Sequence, residues 1–205
     1  MPQHLHRGAL PPGLTFGDSV AIDTETMGLN PHRDRLCLVQ LSRGDGDCHL
    51  VQFPPGEPID APHLAALLAD EAVLKIFHFA RFDVAVLVHA LGVRCAPVYC
   101  TKIASRLART FTDRHGLKDL CRDLLGVEIS KQQQSSDWGA DRLSSNQLDY
   151  AANDVLHLHP LKERLDEMLA REGRAELAEA CFTFLPHRAR LDLDGWPEVD
   201  IFSHD

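Results

Sequence analysis

Val20-Ala21-Ile22-Asp23-Thr24-Glu25-Thr26-Met27-Gly28-Leu29 is the stretch on which the fold turns. Val20 to Ile22 are apolar and β-prone, and Gly28 with Asn30-Pro31 ends the run, so it reads as a strand passing into a loop. Side chains two apart on a strand point to the same face, so Asp23 and Glu25 converge. A buried, unpaired carboxylate is costly. Two acids in an apolar strand therefore need a partner, and hard divalent cations supply one. Such cations prefer oxygen ligands, and a pair of them is a device for cutting phosphodiesters.

Two more segments carry acids in apolar surroundings. Asp83 closes His78-Phe79-Ala80-Arg81-Phe82-Asp83, after a strand-like run at 74–79, and begins an apolar helix through Val84, Ala85, Val86 and Leu87. Tyr150 and Asp154 stand four apart in a helical segment and so share one face. Ser144 and Gln147 form a capping box at its start. One strand edge and one helix face thus each offer two polar groups.

In this order the three segments resemble the three motifs of the DEDD superfamily of 3′–5′ exonucleases: Asp23-Thr24-Glu25, then Asp83, then Tyr150-x-x-x-Asp154. A tyrosine four before the last Asp marks the DEDDy branch; the DEDDh branch has histidine five before it, where this chain has Asp149. From Thr101 through Ser136-Asp137-Trp138 to Val155 the chain looks like the catalytic domain of ribonuclease D, and the resemblance covers residues 15–172. The length leaves no room for the helical nucleic-acid-binding domains that follow in ribonuclease D. With the ending Gly195-Trp196-Pro197-Glu198-Val199-Asp200-Ile201-Phe202, the chain is similar to the stand-alone nanoRNase C family, which degrades the last dinucleotides of RNA and assembles into a ring.

The resemblance implies a ribonuclease H-like α/β fold with a mixed central sheet flanked by helices. It also implies a site of Asp23, Glu25, Asp83, Tyr150 and Asp154. Asp23, Glu25 and Asp154 would hold the metal carrying the attacking water, and Asp23 would bridge to a second, with Asp83 in its inner or outer shell. All-oxygen ligation points to Mg²⁺ or Mn²⁺, two per site. Tyr150, an ordinary phenol with a pKa near ~10, is a poor base and better placed to orient the water. The loop Thr26, Met27, Gly28, Leu29 would back the 3′-terminal nucleotide, with Leu29 as a wedge between bases. His78 and Phe82 flank Asp83 and face sugar or base, although Phe82 reads equally well as core. Trp138 is read as packing under the third-motif helix, and His157 and His159 as surface or neighbouring groups, not ligands. The expected activity is metal-dependent 3′–5′ hydrolysis of RNA to 5′-monophosphates, with very short oligoribonucleotides as a specific substrate. A DNA exonuclease and a non-catalytic nucleic-acid-binding scaffold are the alternatives; the scaffold would be expected to have lost a ligand, and none is missing.

Composition fits a single exonuclease domain of generous core, with 44% hydrophobic and 25% charged residues in 205. No apolar run approaches a membrane span, and Met1 to Gly8 lack the apolar core of a signal peptide, so a cytoplasmic place is expected. The six cysteines form no CxxC pair and read as small packed thiols. A net charge of −9 is unusual beside a phosphate-rich substrate. It is uneven, however: residues 94–131 hold Arg94, Lys102, Arg106, Arg109, Arg114, Lys118, Arg122 and Lys131 against Asp113, Asp119, Asp123 and Glu128, a local +4 that leaves −13 elsewhere. Each cation is as readily a solvated helix face as a phosphate contact. The overall acidity suits a short single-stranded RNA or oligonucleotide held locally better than a long duplex.

Along the chain, residues 1–14 read as a tail, 15–190 as the exonuclease domain and 191–205 as an acidic C-terminal tail. Such a tail is either disordered or pinned by Trp196, Ile201 and Phe202 to the body or to a neighbouring subunit of a homo-oligomer, and the second reading is favoured. Strands are expected at 18–24, 35–42, 47–53 and 74–79. Helices are expected at 61–69, capped by Asp60, and at 81–91, 101–110, 117–125, 145–171 and 175–190.

Overall fold

The computed structural model describes residues 2–130 and 132–204. Among the described residues, six strands form one mixed sheet: β1 (Gln3–Arg7), β2 (Ser19–Thr26), β3 (Leu36–Ser42), β4 (Cys48–Gln52), β5 (Leu74–Phe77) and β6 (Val98–Cys100). Their order across the sheet is β1-β4-β3-β2-β5-β6. The consecutive β2, β3 and β4 pair antiparallel, whereas β5 joins β2 in parallel and β6 joins β5 in parallel. All seven residues of β3 are buried, as suits a strand covered on both faces.

Among the described residues, helical segments surround the sheet: α1 (Pro62–Ala69), α2 (Ala80–Leu91), α3 (Thr101–Ala108), α4 (Leu117–Leu120) with a π-helical turn at Cys121–Leu125, α5 (Ser145–Leu156), α6 (Leu158–Arg171) and α7 (Ala175–Leu193). The helix α5 packs against β2, β3 and β4, which brings the third motif onto the first. Val20, Ala21 and Ile22 of β2 and Ala151, Ala152 and Val155 of α5 are all buried. Among the described residues, no helix is long and apolar enough to cross a membrane.

Several expectations are corrected. Residues 1–14 are not a patternless tail: β1 runs parallel to β4, with His4 opposite His49. Its polar sequence hid it, because an edge strand needs backbone partners more than an apolar face. It is tied in further by Gln3 Nε2 to Asp149 Oδ1 of α5 at 2.7 Å and by Arg7 to Asp141, just before α5, at 3.0 Å. The helix expected over 145–171 breaks at His157, and Pro160 falls in the first turn of α6, where its missing N–H costs nothing. Asp60 does not cap α1; Ala61 holds that place and Pro62 opens the helix. Beyond α7 the chain is held by arginines more than by apolar contacts. Arg81 binds Asp192 at 2.6 and 2.8 Å and the Pro197 carbonyl, while Arg188 binds Asp192 and the Trp196 carbonyl. Phe202 touches Phe184, yet Trp196, Val199, Ile201 and Phe202 all stay exposed.

Candidate active site

The two-residue period of β2 turns Asp23 and Glu25 to one side, and a β-bulge between Glu25 and Thr26 ends the regular register there. The capping box at Ser144 forms as expected: the hydroxyl accepts from the Gln147 N–H, and the Gln147 side chain accepts from the Ser144 N–H. The helix it starts projects Tyr150 and Asp154 toward β2. One carboxylate oxygen from each of Asp23, Glu25 and Asp154 can be chosen so that all lie within 4.8 Å of one another. Asp83, in the first turn of α2, is buried beside this group but is not a member of it; the Thr24 hydroxyl donates to its Oδ1 at 2.7 Å.

The electrostatics are those of an uncompensated anion cluster. Burial, then repulsion from Asp83, Asp154 and Glu25, holds the Asp23 carboxyl well above the usual range. Burial, then Asp154 and Asp83, pushes Glu25 up to about 9. Burial raises Asp83 to about 7 against the lowering hydrogen bonds from Thr24. The Tyr150 hydroxyl is hydrogen-bonded to Asp154, and burial followed by the charges of Asp154, Glu25 and Asp23 holds it well above an ordinary tyrosine. A phenol so placed keeps its proton and acts as a donor.

The acids stand at the floor of a cleft of about 630 Å³. Thr26, Met27, Gly28, Leu29, His78 and Phe82 all line it. Leu29 is 83% exposed and Met27 half exposed. Both side chains are therefore accessible to a ligand in the cleft. Two glycines set the loop. A Cβ on Gly28 would lie 2.3 Å from Asp34 Oδ2, and Asp34 accepts from the Asn30 N–H to close the turn after Leu29. A Cβ on Gly139 would lie 2.3 Å from Met27 Sδ. His78 Nδ1 lies 2.9 Å from the Thr101 hydroxyl, which itself donates to the Phe77 carbonyl. That order makes Nδ1 the protonated nitrogen. Phe82 both lines the cleft and packs on the core, so its two readings coexist. Trp138 is buried 6.0 Å from the Tyr150 ring, and its loop is clamped by Arg35 Nη2 to the Gly139 carbonyl at 3.1 Å. His157 and His159 are outside the cleft, and His159 meets Ser19.

Of the basic stretch, Lys102 and Lys118 face the cleft. Arg94, Arg109 and Arg122 are engaged with Glu71, Asp123 and Asp119, and Lys131 lies outside the described residues. Sequence reasoning passed over Phe79. It is 45% exposed, carries φ +70° at the start of α2, lines the cleft and lies 4.3 Å beneath the Lys102 ammonium. A left-handed non-glycine residue leaves no mark in sequence, although such strain gathers at functional sites. Ser130, Gln134, Ser135 and Ser136 also reach the cleft from a loop without pattern.

The carboxylate set offers hard oxygen donors without sulfur or imidazole, which fits Mg²⁺ or Mn²⁺. A cation held there would offset the burial and mutual repulsion that raise Asp23 and Glu25.

Comparison with known proteins agrees with this geometry. Residues 13–170 match the family model described as 3′–5′ exonuclease. Ribonuclease D of Granulibacter bethesdensis is 39% identical over 155 residues, 76% of this chain and 38% of that protein, so the chain spans about two fifths of the length of this curated relative. Brucella melitensis NrnC bound to pGG superposes with a TM-score of 0.96 at 58% identity, over 100% of both chains. The same protein with bound Mg²⁺ gives 0.95 at 57%, again over both whole chains.

Proposed function

The chain belongs to the 3′–5′ exonuclease family, and we propose that it is a metal-dependent exoribonuclease that trims very short RNA from the 3′ end to 5′-monophosphates. The observation that carries this reading is the convergence of Asp23, Glu25 and Asp154 within 4.8 Å at the floor of a cleft rimmed by exposed Leu29 and Met27. Asp23, Glu25 and Asp154 would hold Mg²⁺ or Mn²⁺, with Asp83 serving a second ion directly or through water. Bound there, the cations would neutralise the acids, polarise the phosphodiester and acidify a water for in-line attack. Tyr150, whose hydroxyl is held by Asp154, would orient the attacking water by hydrogen bond. Leu29 and Met27 lie against the terminal bases, a contact that tolerates any sequence. Lys102 and Lys118 supply positive charge for a phosphate.

Three features support a short substrate. The cleft has the volume of a small-molecule site. The chain's net charge of −9 disfavours phosphates beyond those near the site. And the relative at 58% identity holds pGG. The exposed Trp196, Val199, Ile201 and Phe202 would be covered by a second copy in a homo-oligomer, whose neighbours wall off the site. We place the enzyme in the cytoplasm, where RNA decay ends.

The test is a length series. Di- to pentaribonucleotides should be cleaved with kcat/KM at least equal to that of a twenty-nucleotide RNA in Mn²⁺. A steep rise continuing past about six nucleotides would overturn the short-substrate reading, since each added phosphate contact would then be adding affinity.

A further inference from the structure

Gln40 is an amide in the middle of the fully buried strand β3, and it stands directly opposite Asp23 in the β2–β3 register. Its Nε2 lies 3.2 Å from Asp23 Oδ2. Once a cation holds Asp23 ionised, its carboxylate only accepts, and the amide nitrogen is the end of Gln40 that serves it. Its other end, Oε1, is buried with no partner. Other buried polar side chains of the sheet are satisfied within the protein. Ser42 donates to the Asp47 carbonyl, Gln52 to the Ala140 carbonyl, and Lys75 to three backbone carbonyls. A cross-strand amide kept for stability alone would satisfy both ends or be replaced by an apolar side chain, since an orphaned buried acceptor is destabilising.

We propose that Gln40 is a positioning residue for Asp23: its amide N–H occupies one carboxylate oxygen and fixes the side-chain rotation so that the other oxygen is presented to the cation. Donors of this kind orient a ligand before the ion arrives. The arrangement matches the one at Asp83, where Thr24 from the same strand fixes one oxygen at 2.7 Å. The inference rests on the reading of Asp23 as a metal ligand.

The two roles predict opposite signs. Gln40→Met keeps the length and removes both the donor and the orphaned acceptor. Its metal-free melting temperature should equal or exceed that of the parent, while its affinity for Mn²⁺, titrated calorimetrically into the full chain, should fall by about 10- to 100-fold. Turnover should recover as Mn²⁺ is raised. Gln40→Leu provides a second apolar variant should the first fold poorly. Unchanged Mn²⁺ affinity overturns the proposal. So does a metal-free melting temperature that falls together with affinity, or failure of both variants to unfold cooperatively, since those results make Gln40 purely structural. Asp23→Asn in the same titration separates the premise: if it binds Mn²⁺ like the parent, the ligand assignment itself fails, whereas weakened binding there with normal binding in Gln40→Met sinks only the role given to Gln40.

Discussion

Replacing Glu25 by Gln should stabilise the metal-free protein, and by an amount that depends on pH. Glu25 is raised from an ordinary 4.5 to about 9 by burial and by Asp154 and Asp83. Its folded value is above its unfolded one, so the folded state binds the extra proton throughout this window. Stability from this group is therefore present below about 4.5 and is lost as pH rises toward about 9. At pH 7 the folded chain must hold a proton against an ordinary value of 4.5, about 2.5 lower, which at 1.36 kcal/mol for each pH step costs roughly 3 kcal/mol. Gln has the shape of the protonated acid and carries no such linkage. Allowing for coupling among the acids, Glu25→Gln should gain about 2–3 kcal/mol at pH 7, or roughly 4–12 °C in Tm for a chain of this size, and almost nothing at pH 4.5. Thermal unfolding followed by circular dichroism in EDTA at several pH values measures it. Mn²⁺ should reverse the order, raising the parent's Tm more than the variant's, because the parent gains a ligand for its uncompensated charge. A Glu25→Gln variant less stable than the parent at pH 7 without metal, or a gap that does not change with pH, would refute this reasoning.

Tyr150→Phe should lower turnover by about 10- to 1,000-fold, the usual scale for one positioned proton-handling group, and leave calorimetric Mn²⁺ binding in place; loss of binding would make the tyrosine a ligand. Leu29→Ala should keep the Tm, since the side chain is 83% exposed, but weaken oligonucleotide binding by about 1–3 kcal/mol, seen as a rise in KM. Charge at Trp196 or Phe202, both exposed on the C-terminal turn, should lower the assembly size in sedimentation velocity while leaving far-UV circular dichroism unchanged; an unchanged size would exclude that turn from an interface.

The site's acids were legible because each sits where chemistry and periodicity disagree. Asp23 and Glu25 interrupt an apolar strand, and Tyr150 and Asp154 share a helix face opened by a readable capping box. The strands β2 to β5 followed from apolar runs between Gly, Pro and Asp turns. What escaped depends on distant partners. The edge strand β1 consists of Gln, His, Leu and Arg and owes its form to β4. The three-residue β6 is too short for a pattern. Phe79 enters the cleft because its backbone turns left-handed, and Gln40 acquires meaning only when the register sets it opposite Asp23. His157 divides two helices that the apolar pattern runs together, although Pro160 was the available sign.

The most direct measurement of the central claim is product analysis on a 5′-labelled pentaribonucleotide with Mn²⁺, comparing the parent chain with Asp154→Asn and repeating the parent reaction with a 3′-phosphate-blocked substrate. The account predicts a ladder shortened one nucleotide at a time from the 3′ end with release of 5′-monophosphates, arrest by the 3′ block and by EDTA, and no products from Asp154→Asn that still folds. Internal fragments from the blocked substrate, or turnover by Asp154→Asn close to that of the parent, would contradict it.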